Sequence, residues 1–221
     1  MAAVKNDADG KADVCSNVDA STFDLSEDLA AAYTQKEVAA AACEAIRFQY
    51  DAGWTDLAIP GHTVRVSGGQ AITETLRPWL TERALNNAST LAVKSADGDG
   101  AADDDLIGLT MVNLTNPDWN LRAQDKEGSL IVDDRSWGDA DLTIDKTADA
   151  AGRERVDVTI KFTDQMLLTR KSDGVLGSVP VTRTITYAMS QTSLKDHPWL
   201  VDGWSAKWTY GTPTLDKKAE K

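Results

Sequence analysis

The 221-residue sequence predicts an α+β fold, with N-terminal helices packed on a curved antiparallel sheet. Three observations carry that expectation. Apolar residues recur at helical spacing up to about residue 85, they alternate with period two from Leu106 onward, and turn chemistry such as Ser172-Asp173-Gly174 punctuates the second half. At 42% hydrophobic, the chain can bury a core without a metal or several disulfides. No internal repeat divides it. One domain over about 26–213 is expected, between an acidic, flexible leader (1–25) and a charged tail (214–221).

The elements follow in chain order. A short helical piece is expected around Ser26 to Tyr33. Thr34-Gln35-Lys36-Glu37 has the form of a capping box, and Val38, Ala41, Ala42, Ala45 and Phe48 then recur at helical spacing until Gly53 stops a helix over about 35–52. Gly and Pro make 54–69 a loop or short hairpin. Between Gln70 and Leu85, Pro78 forbids one continuous helix, so two short ones are expected, the second starting near Pro78. Ser95 to Asp105, rich in Asp and Gly, reads as a flexible acidic loop. Strands are expected over 106–114 and 140–145, and over 155–163, where Val156, Val158, Ile160 and Phe162 alternate with polar residues. A fourth runs through Val179, Val181, Ile185, Tyr187 and Met189, its apolar face broken by Arg183. The fifth is WLVDGWSAKWTYG, Trp199 to Gly211, where Trp204, Ala206, Trp208 and Tyr210 share one parity; a bulge at Gly203 would return Trp199 and Val201 to that face. Trp204 and Trp208 are expected in the core.

Composition narrows the function classes. With 23 basic and 35 acidic residues the net charge is −12 and no dense basic patch is visible, so nucleic acid is not an expected partner. The apolar run Ala39 to Cys43 is far short of the roughly 20 residues of a membrane helix, so no direct membrane insertion by this chain is expected. MAAVKNDADGKAD lacks the apolar segment of a signal peptide, which places any expected anchor upstream of Met1. Cys15 and Cys43, 28 residues apart, lack the spacing of a zinc site; they are either one disulfide between leader and first long helix or two unrelated thiols. The disulfide is the expectation, and it implies an oxidising, extracytoplasmic compartment. The aspartates at 97, 99, 103, 104 and 105 do not fit an EF-hand loop, since Ala101 stands at the third ligand position; no metal and no cofactor is expected.

Capped helix, LRPWLTERAL (Leu76 to Leu85), long strands, and TITYAMSQT followed by WLVDGW together resemble the nuclear transport factor 2-like, or cystatin-like, cone fold. Over roughly residues 30–210 the chain is most similar to extracytoplasmic domains of actinobacterial membrane-tethered proteins, of the mammalian-cell-entry-associated and type IV secretion assembly-factor kinds. That resemblance implies a non-enzymatic interaction or assembly module with protein partners in a membrane-associated transport or secretion complex, with self-association left open. It also implies a concave pocket between sheet and helices, for which Arg183, Tyr187 and Trp54 are the candidate ligand-binding residues. Burying an unpaired guanidinium is prohibitive, so Arg183 either pairs with a carboxylate, lines a wet pocket or lies near solvent. Isomerases and dehydratases of this fold use pocket Asp, Tyr or His residues. Here the carboxylates fall almost wholly on wet faces or loops, and His62 and His197 stand in no recognisable nucleophile motif, so no catalytic residue is assigned. An isomerase-like or small-molecule-binding pocket near Arg183 is the alternative.

Overall fold

The computed structural model describes residues 5–6, 12–13, 15, 18, 21, 25–51, 76–106, 108–109, 119–121, 141–148 and 154–215. Four helices and eight strands lie within them: β1 (Lys5–Asn6), β2 (Ala12–Asp13), α1 (Glu27–Ala32), α2 (Gln35–Asp51), α3 (Glu82–Ala96), α4 (Gly100–Leu106), β3 (Trp119–Leu121), β4 (Asp141–Ala148), β5 (Glu154–Arg170), β6 (Leu176–Gln191), β7 (Trp199–Tyr210) and β8 (Thr214–Leu215). The fold is α+β, with a six-stranded antiparallel sheet built on the long β5–β6 hairpin. On its outer side β5 pairs with β4 over 154–161 and with β3 over 168–170, while β6 pairs with β7 and, at Gly177 and Ser178, with β8.

Local chemistry sets the element ends. Ser26 caps α1, and Thr34 and Glu37 close a reciprocal capping box on α2, with the Thr34 amide donating to the Glu37 carboxylate at 2.8 Å and the Glu37 amide to Thr34 Oγ1 at 3.3 Å. The hairpin turns at Gly174, whose φ of 69° suits glycine, and Asp173 accepts from Arg170 Nε at 2.9 Å and from the Val175 amide at 3.2 Å.

The core lies between α2 and the sheet. Val38, Ala41, Ala42, Ala45 and Phe48 are fully buried on one stripe of α2, facing Val156, Val158 and Ile160 of β5, Ile185, Tyr187 and Met189 of β6, and Trp199 and Val201 of β7. The alanines leave room for the large rings. Tyr33 meets Trp199 edge-on at 5.4 Å, and Phe48 meets Tyr187 edge-on at 5.2 Å.

Several expectations change. After Pro78 the chain does not enter a helix at once: the Thr81 amide donates to the Val201 carbonyl at 3.0 Å and the Val201 amide to Trp79 at 2.9 Å, so 79–81 lies along β7 and α3 starts at Glu82, capped by Thr81. The acidic stretch 95–105 is no loop. Gly98, at φ 91°, ends α3 with its amide on Ser95 and that of Asp99 on Lys94, both at 3.0 Å, and Asp99 then caps α4, whose Ala102 and Leu106 are buried one turn apart. Leu106 therefore closes a helix and does not open a strand; 110–114 lies outside the described residues.

On β7 the register shift opposite Ala188 and Met189 makes Asp202 the extra residue, which puts Trp199 and Val201 on the core side with Trp204, Ala206 and Trp208. Burial fades along the strand. Trp199 is enclosed, Trp204 and Trp208 are only half-buried against the core, and Tyr210 is exposed, because the helices cover the first half of β7. At the chain ends, β1 and β2 form a short ladder within the leader, and β8 takes 214–215 into the sheet where a tail is expected.

Candidate functional site

Four polar side chains are buried among the described residues: Glu44 and Gln49 on α2, Arg183 on β6 and Asp202 at the β7 bulge. With Tyr187 and His197 they form three networks on the helix side and at the helix-bound edge of the sheet.

The first centres on Tyr187, which shares the core face of β6 with Arg183 because the two are four residues apart. Its hydroxyl reaches Gln49 Oε1 and the Gly108 carbonyl, the latter at 2.9 Å. A phenol has one proton, so both contacts are satisfied together when the phenol donates to Gly108 and the Gln49 amide turns its NH2 toward the phenol oxygen. Burial pushes the phenol far above its ordinary pKa, against the opposing pull of the Arg183 charge, so it stays neutral. Arg183 is itself 4% exposed and engaged within the molecule, opposite Phe162 on β5 and Trp208 on β7 in the register.

The second network surrounds Asp202. Its carboxylate accepts from Thr81 Oγ1 at 2.7 Å and from Arg83 through both Nε and Nη2, with Arg155 Nη1 at 3.5 Å. Burial pushes this carboxyl up, but the hydrogen bonds from Thr81 and Arg83 and the charges of Arg83 and Arg155 outweigh it and hold the group below the ordinary carboxylate range. The arrangement ties the cap of α3 to β7 and to β5.

In the third, Glu44 accepts from Arg47 Nη1 at 3.1 Å and lies 3.2 Å from His197 Nδ1. His197 sits in the β6–β7 connection, where its carbonyl accepts from Thr192 Oγ1 at 2.8 Å and its ring meets Trp79 at 4.7 Å. A carboxylate only accepts, so the proton lies on Nδ1. The pair orients an imidazole, but no serine, threonine or cysteine is placed against it among the described contacts.

Of the sequence-predicted site residues, Arg183 and Tyr187 therefore come together on one face, whereas Trp54 lies outside the described residues, as does His62. Cys15 and Cys43 are joined as a disulfide, with Cα atoms 5.1 Å apart, linking the leader to the middle of α2. Two carboxylates depart from the wet faces and loops expected of nearly all of them: Glu44 and Asp202 are buried, and Glu44 holds His197. The signal was available on α2, where Glu44 stands three residues after Ala41 and Gln49 four after Ala45, both on or beside the apolar stripe. No protein-family model, no curated protein and no solved structure matches the chain.

Proposed function

We propose that this chain is a non-enzymatic interaction or assembly module of nuclear transport factor 2-like cone form, working outside the cytoplasm and tethered to a membrane-associated transport or secretion complex through its leader. One observation carries the non-enzymatic part: the buried phenol and the two buried carboxylates are each bonded to neighbours within the chain. Tyr187 is taken by Gln49 and Gly108, Asp202 by Thr81, Arg83 and Arg155, and Glu44 by Arg47 and His197. A general acid or base must keep a proton or lone pair directed at substrate, whereas the bonds of Tyr187 and Asp202 tie α2 and the cap of α3 to the sheet. The extracytoplasmic setting is supported by the Cys15–Cys43 disulfide, a linkage that persists in oxidising compartments.

A photo-crosslinking amino acid at the exposed positions Leu194 and Val93, introduced into the full chain in its producing cell, tests this reading. Discrete adducts to a membrane-associated protein are expected. Absence of adducts, together with a small molecule retained one-to-one in native mass spectrometry and released by Arg183→Met, would replace it with the pocket-binding alternative.

A further inference from the structure

On the face of the sheet turned away from α2, the register assembles a block of side chains unlike the rest of this acidic chain. Thr159, Thr186 and Ser205 form one row across β5, β6 and β7. Lys161, Thr184 and Lys207 form the next, and Thr163, Thr182 and Thr209 the one after. Neighbouring rows are about 6.7 Å apart along the strands, and the two lysines, two strands apart, are separated by about 9.5 Å. Lys161, Thr163, Ser205, Lys207 and Thr209 are exposed. These nine positions on β5, β6 and β7 hold two cations and no carboxylate, with Asp141 of β4 next in the lysine row, in a chain whose net charge is −12.

Four of the seven hydroxyls are paired across the strands. Thr159 and Thr186 bond across the strands at 2.7 Å, and Thr163 and Thr182 at 2.9 Å. Each bond uses one of two protons, so a donor and several lone pairs remain in fixed positions on side chains stiff at χ1. A ligand lying here meets four threonines whose rotamers are fixed beforehand, which lowers the ordering cost at those contacts. No aromatic ring stands in the block, which argues against the stacking that neutral sugars and unpaired bases use.

We propose that this face binds an extended acidic polysaccharide, a polyuronate, whose carboxylates meet Lys161 and Lys207 while its ring hydroxyls meet the threonine rows. Charge complementarity selects that occupant. Among the described residues, the acidic positions beside the block in the register are Asp157, one row beyond Thr159 and engaged within the molecule, and Asp141, opposite Lys161 on β4. The remaining negative charge acts through salt that screens it over about 8 Å. The inference shares only the extracytoplasmic setting with the function proposed above, and its failure in the purified chain would leave a protein-partner role standing.

Affinity electrophoresis of the full oxidised chain through gels containing polygalacturonate tests it, each mobility being divided by that in a gel without polymer. The parent is retarded. Lys161→Gln with Lys207→Gln is expected to weaken retardation by about tenfold, while Lys94→Gln, which removes an exposed cation on α3, leaves it unchanged. Should the double variant melt abnormally, carbodiimide coupling of the parent to oligogalacturonate decides instead, with adducts expected on Lys161 and Lys207. No retardation of the folded parent, equal retardation by neutral dextran, an equal loss on Lys94→Gln, or lysine-dependent binding to anionic phospholipid vesicles without binding to the polymer would each overturn the proposal.

Discussion

Asp202 owes its position to one extra residue in β7. Without the bulge its side chain would continue the strand's alternation; with it, the carboxylate turns to Thr81, Arg83 and Arg155. Asp202→Asn keeps the shape and removes the charge, leaving two guanidinium groups short of a partner. Because Arg83 is nearly half exposed, the expected loss is about 2 to 3 kcal/mol, below the range for a fully buried pair, read as a shift in the denaturation midpoint. The pH dependence has a definite sign. The folded carboxyl titrates below its ordinary value of 3.8, so its contribution is complete above that pH and disappears as pH falls through the lower, folded value. A midpoint series from pH 6 downward should show the parent losing stability in this window, with the Asn variant lacking that portion. Tyr187→Phe leaves the Gln49 amide and the Gly108 carbonyl without the phenol, and is expected to cost about 1 to 3 kcal/mol in the same melt. The Arg183 anomaly was visible as a charge on an apolar parity, and the same test applied at helical period would have found Glu44. Asp202 was harder, since a bulge has no periodic signature.

Helix and strand identity was legible wherever local chemistry and periodicity agree, as in α2 with its capping box and in β5 and β6 with their alternation. The acidic stretch misleads for a physical reason. Asp and Gly favour turns, yet here Gly98 supplies only the left-handed residue after α3, and Asp99 caps the next helix, whose short length is sustained by burying Ala102 and Leu106. Asp99→Ala should cost about 1 kcal/mol and speed amide exchange selectively within 101–106. No change in exchange there would mean that packing alone holds α4. The link from leader to α2 is also an element-scale matter. Closing 28 residues of chain restricts the unfolded state, so Cys15→Ala with Cys43→Ala is expected to lower stability by about 3 to 4 kcal/mol in a denaturant melt. Alkylation with and without reductant reads the bond directly, and two freely alkylated thiols in the oxidised chain would remove both the linkage and its bearing on compartment.

At the scale of the molecule, the question is which part of the aromatic strand the fold depends on. Alternation alone makes Trp204, Trp208 and Tyr210 equivalent, because the sequence carries parity but not how far the helices reach along β7. The structure grades them. The segment 79–81 and α3 engage the beginning of the strand, Trp199 is enclosed there against Tyr33, and beyond the bulge the rings are progressively exposed. Trp204 is a middle case, half-buried yet donating from Nε1 to the Asp105 carbonyl at 2.7 Å, and packed so closely on Gly108 that a Cβ at that glycine would collide with its ring. Trp199→Ala should therefore cost about 3 to 5 kcal/mol, a large share of the roughly 5 to 15 that hold a domain together, and lower the midpoint sharply or prevent soluble expression. Trp208→Ala removes only part of a buried surface, for which about 1 to 2 kcal/mol is expected. Lys207→Ala on the opposite face should change stability by less than about 0.5 kcal/mol. Denaturant melts of the three variants, followed by circular dichroism so that loss of a tryptophan does not alter the signal, should rank them in that order. An equal cost at Trp199 and Trp208 would mean that the helix layer extends over the whole strand, and a Trp208 variant as stable as the parent would free that ring for recognition.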